Sequence, residues 1–74
     1  MQFIKAKYLK NGKPIGRAYT FKTFDNLAPG AIAVNDKDNK LIVVDEPVSS
    51  AWVIVYGVEN IAVLSRSAAE ESEE

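Results

Sequence analysis

The chain has 74 residues, nine basic and ten acidic, with a net charge of −1, and it contains neither cysteine nor histidine. That length fits one small domain, and the composition excludes disulfides, thiolate metal sites and histidine-based catalysis. The net charge conceals a split: residues 1–23 carry six bases and no acid, whereas residues 24–74 carry three bases and all ten acids.

The hydrophobic period is two along most of the chain. Ile4, Ala6 and Tyr8 alternate with Lys5 and Lys7, which predicts a strand with one wet face. Asn11-Gly12 follows, a two-residue hairpin signal, because both residues tolerate positive φ. The partner strand is predicted over Arg17 to Thr23, and Gly16 marks a bulge or a tight entrance to it. Asp25-Asn26-Leu27-Ala28-Pro29-Gly30 reads as a turn, with Pro29 presetting φ for the first central position and Gly30 supplying positive φ at the second, as a type II turn requires. Ala31–Val34 and Leu41–Val44 are predicted as a second hairpin around the polar loop Asn35 to Lys40, and Pro47 ends that unit.

Ala51 to Tyr56 is β-branched and aromatic, which predicts a strand with Trp52 in the core. Ile61 to Leu64 is predicted as the last short strand. These elements predict an all-β fold, a small antiparallel barrel or SH3-like roll of five to six short strands. The domain is expected over residues 1–66. A disordered acidic tail is expected over 67–74, either a solubilising end or a screen for the basic segment.

Catalysis is not expected. Ser49 and Ser50 lie in a predicted turn with no lysine marked for them, and Asp45 and Glu46 are strand neighbours that point to opposite faces. The Asn35–Lys40 loop brushes against a calcium loop, but Lys40 stands at the sixth position, where such loops need glycine. It reads as a solvated hairpin loop, so no metal and no cofactor are expected. Met1 to Lys5 alternates apolar and charged residues, unlike a secretory leader, and no run approaches a membrane span. The expectation is a cytoplasmic protein without a membrane partner.

The basic hairpin is the functional lead. Lys5, Lys7, Lys10, Lys13, Arg17 and Lys22 interleave with Tyr8, Tyr19, Phe21 and Phe24. Small barrels hold single-stranded nucleic acid by this combination, with bases stacked on aromatics and phosphates met by lysine and arginine. The same pattern also suits a strand with core aromatics and lysine-protected edges.

The run Tyr8-Leu9-Lys10-Asn11-Gly12-Lys13-Pro14-Ile15-Gly16-Arg17-Ala18-Tyr19-Thr20-Phe21, then Leu27-Ala28-Pro29-Gly30 and Val34, resembles small uncharacterised proteins of phages, prophages and mobile elements of Gram-positive bacteria. The resemblance covers roughly residues 3–44. The Tyr-x-Phe, Leu-x-Pro-Gly, Val order is also similar to the N-terminal DNA-binding domain of the primosomal replication-restart helicase. That likeness implies a small β domain with a nucleic-acid end-binding role. Ala31 stands where such domains usually carry an acid, and no functional residue is carried over.

The leading expectation is a non-catalytic phage or mobile-element accessory module that contacts nucleic acid through the six basic residues. The alternative is a protein-binding inhibitor of a host enzyme or defence complex, using the acidic half (Asp36, Asp38, Asp45, Glu46, Glu59 and the tail). A third reading is a structural homo-oligomer in which Trp52, Val53 or Val55 covers an open sheet edge.

Overall fold

Alternation along the first 23 residues produces a long hairpin, β1 (Gln2–Lys10) and β2 (Lys13–Thr23). The structure is a computed structural model, and residues 1–67 are described. Asn11 and Gly12 both take positive φ, 54° and 80°, so the two-residue loop matches the right-handed twist of its strands. Ile4, Ala6 and Phe21 point into the core, while Lys5 and Lys7 lie half-buried on the opposite face. The expected bulge is present: between the pairs Ala6↔Tyr19 and Tyr8↔Ile15, the single residue Lys7 faces Gly16, Arg17 and Ala18. Gly16 turns there at φ 67°.

The Pro29-Gly30 turn also forms. The Ala31 N–H donates to the Ala28 carbonyl at 3.0 Å, and Gly30 takes φ 94°. Ahead of it, the Gln2 carboxamide grips the Leu27 backbone twice, accepting from its N–H at 3.4 Å and donating to its carbonyl at 3.3 Å. That grip seats Leu27 in the core beside Ala33, Leu41, Val43 and Leu64. β3 (Ile32–Val34) and β4 (Lys40–Val44) form the second hairpin, and β4 pairs antiparallel with β1.

β5 (Val63–Arg66) closes the sheet into a ring in the order β1-β2-β5-β3-β4. It runs antiparallel to β3 but parallel to β2, through Lys22↔Val63 and Thr23↔Leu64. The sheet is therefore mixed and not purely antiparallel as expected. Alternation specifies which residues face inward but carries no information on the direction of a distant partner strand. Asp25 fastens the seam by accepting the Arg66 N–H at 2.9 Å, and Arg66 donates to the Asn26 carbonyl at 3.1 Å.

The segment expected as a fifth-position strand is instead a helix, α1 (Ser50–Tyr56). Its ends explain why. The Ser49 hydroxyl accepts the Trp52 N–H at 3.1 Å, as an N-cap does. Gly57 leaves the helix at φ 96° and returns its N–H to the Val53 carbonyl at 3.0 Å. Asn60, in a 3-10 turn over Val58–Asn60, donates to the Tyr56 carbonyl at 3.0 Å. These caps outweigh the modest β preference of valine, isoleucine and tryptophan. The fold is thus a mostly-β small domain with one short helix, not all-β.

Only Val53 of α1 is buried, so Trp52 does not join the core as expected. The expected acidic tail begins at Ser67, which is buried and donates its N–H to the Ile32 carbonyl at 3.2 Å. The rest of that tail lies outside the described residues.

Candidate nucleic-acid interface

Three of the six basic residues converge. Lys5 and Lys7 project from the wet face of β1, and the bulge brings Arg17 over to meet them. Together with Thr20, Glu46 and Trp52 they line an open cleft of about 730 Å³. Three cations and one carboxylate leave that lining with a formal charge of +2. Lys5 and Lys7 are half-buried, which suits long side chains that cover apolar surface with their stems.

The bulge decides this arrangement. In an unbroken ladder Lys7 would face one residue of β2. The additional residues swing Arg17 out of the ladder, where its guanidinium lies 5.7 Å from the centre of the Tyr19 ring.

A second cleft, of about 470 Å³, adjoins the first and shares Tyr19, Thr20 and Trp52 with it. Tyr8, Tyr19 and Phe21 line it from the hairpin, and Trp52 and Tyr56 from α1. Tyr8 makes edge-to-face contacts with Tyr19 at 6.0 Å and Phe21 at 6.3 Å. Trp52 and Tyr56 stack at 4.7 Å with their planes 12° apart. Their i, i+4 spacing places both rings on one side of α1.

The other three basic residues lie elsewhere. Lys10 and Lys13 face each other at the exposed hairpin tip. The Lys22 ammonium donates to the Val58 carbonyl at 2.7 Å, where it ties β2 to the 3-10 turn. Phe24 is exposed in a shallow depression with Met1 and Asp25, apart from the aromatic cleft.

The sequence split in charge is not kept at the basic cleft. Glu46 of the acidic half sits in the cleft with Lys5 and Lys7. In the Asn35–Lys40 loop, the Asn35 carboxamide oxygen accepts the N–H groups of Lys37 and Asn39, at 2.9 and 3.0 Å. Among the described residues, no three acidic side chains gather into a set able to hold a metal ion.

Trp52 and Tyr56 line these clefts, where the strand assignment did not place them. The signals that could have found them were the Ser49-Ser50 pair after Pro47, Gly57 at the far end, and the Trp-x-x-x-Tyr spacing. Comparison with family models, curated proteins and solved structures finds no match to this chain.

Proposed function

We propose that the protein is a non-catalytic nucleic-acid-binding module, a cytoplasmic accessory protein of a phage or mobile element whose ring is a variant of the SH3-like roll. The observation that carries this reading is the meeting of Lys5, Lys7 and Arg17 with Tyr19 and Trp52 on one open cleft. Cations gathered on one cleft neutralise phosphates, and their attraction is independent of base sequence. Arg17, over the Tyr19 ring and exposed, is able to form a charge-assisted bond to a phosphate oxygen. Of the six basic residues expected to bind, Lys5, Lys7 and Arg17 carry the contact. Lys10 and Lys13 add long-range attraction, and Lys22 serves the fold.

The test is a fluorescence-anisotropy titration of a labelled single-stranded oligonucleotide at low and moderate salt. Binding that weakens steeply with salt is expected. No binding at low salt, or binding indifferent to salt, would overturn the reading and return attention to a protein partner for the acidic half.

A further inference from the structure

Granting the nucleic-acid reading on which it rests, we infer that α1 is a base-stacking shelf and that the ligand is a single strand with unpaired bases, not a duplex. Trp52 and Tyr56 remain 43% and 49% exposed, although they are the two largest side chains of α1. The core does not need them, since Val53 alone anchors the helix. Stacked one over the other, the two rings cover each other's inner faces and leave an outer face for a further flat ring at the edge of the aromatic cleft. Across that cleft stands Tyr19, itself 45% exposed and steadied by Tyr8 and Arg17.

The two clefts have complementary chemistry and a common border. Lys5, Lys7 and Arg17 line one and the aromatic rings the other, while Tyr19, Thr20 and Trp52 belong to both. A single strand presents phosphates along one side and base faces along the other, so both clefts can be filled by consecutive nucleotides. A duplex offers the phosphates but keeps its base faces stacked inside. The aromatic cleft, at about 470 Å³, lies within the ~300–1,000 Å³ span of small-ligand sites.

Trp52 is the only tryptophan, so intrinsic fluorescence reports on the shelf directly. The experiment titrates the intact protein with oligothymidylate, an abasic strand of equal length, and a duplex, at one low salt concentration. Oligothymidylate should quench Trp52 and bind about tenfold or more tighter than the abasic strand. Tyr56→Ala, at a residue that lines only the aromatic cleft, should shrink that difference while leaving abasic binding in place, and Trp52→Ala should shrink it further, both variants being checked for folding by circular dichroism.

Equal affinity for all three probes with unquenched Trp52 would overturn the shelf and leave the nucleic-acid reading standing. Preference for the duplex would do the same. Failure of every probe to bind would overturn the nucleic-acid reading itself.

Discussion

Neutralising the cleft cations should flatten the salt dependence of binding by an amount the geometry sets. Lys5, Lys7 and Arg17 line the cleft, which allows three phosphate contacts. Each contact to a single strand contributes about −0.7 to the slope of log affinity against log salt, so the three together contribute about −2.1. Between 50 and 200 mM salt that share alone weakens binding about 20-fold. The variant Lys5→Gln, Lys7→Gln, Arg17→Gln should lose that share. Its companion, Lys10→Gln, Lys13→Gln, removes two charges that attract only from a distance and should flatten the slope by much less than the cleft variant does. Anisotropy titrations at four salt concentrations measure both slopes. If the tip variant flattens the slope as much as the cleft variant does, attraction is spread over the hairpin and the cleft is not where phosphates settle.

Three further perturbations test the framework around the site. Leu64→Ala should cost about 3–5 kcal/mol in urea denaturation, because Leu64 is wholly buried on the strand that closes the ring; a loss below about 1 kcal/mol would show that the seam carries no core. Gly57→Ala should destabilise by about 1–2 kcal/mol, since φ is 96° and a Cβ would meet the Asn60 Nδ2 atom at 3.0 Å; an unchanged melting temperature would contradict the helix-end geometry. Lys22→Met should lower stability by about 1 kcal/mol through loss of the bond to the Val58 carbonyl, with oligonucleotide affinity within about twofold of the parent; a binding loss equal to that of Lys5→Gln would return Lys22 to the interface.

The elements visible in the sequence are those whose cause is local. Asn11-Gly12 and Pro29-Gly30 each carry their turn in two adjacent residues, and both turns form. The alternation of Ile4, Ala6 and Tyr8 with Lys5 and Lys7 places the core side and the wet side of β1 correctly. Residues 51–56 misled because an unbroken apolar run has no period to read, and short runs of this kind fit either helix or strand. Their helix depends on Ser49, Gly57 and Asn60 outside the run.

The basic cleft was half legible. Lys5 and Lys7 share a face by strand geometry alone, whereas Arg17 reaches them through a bulge hinted at only by Gly16. Lys22 shows the limit of reading charge as function, because its partner is a carbonyl 36 residues away.

The late position of β5 in the chain bears on how the protein is made. During synthesis the hairpin of β1 and β2 leaves the ribosome first, and β3 and β4 follow. Until Arg66 emerges, neither β2 nor β3 has its β5 neighbour, and each presents a row of unmatched backbone groups to the crowded surroundings of the ribosome. Such edges pair readily with other chains, and a lysine on the edge discourages it. Lys22 lies on that waiting edge of β2, opposite the place Val63 will take. The residue that braces the 3-10 turn in the finished ring thus stands, before β5 arrives, at an edge where a lysine disfavours pairing with other chains.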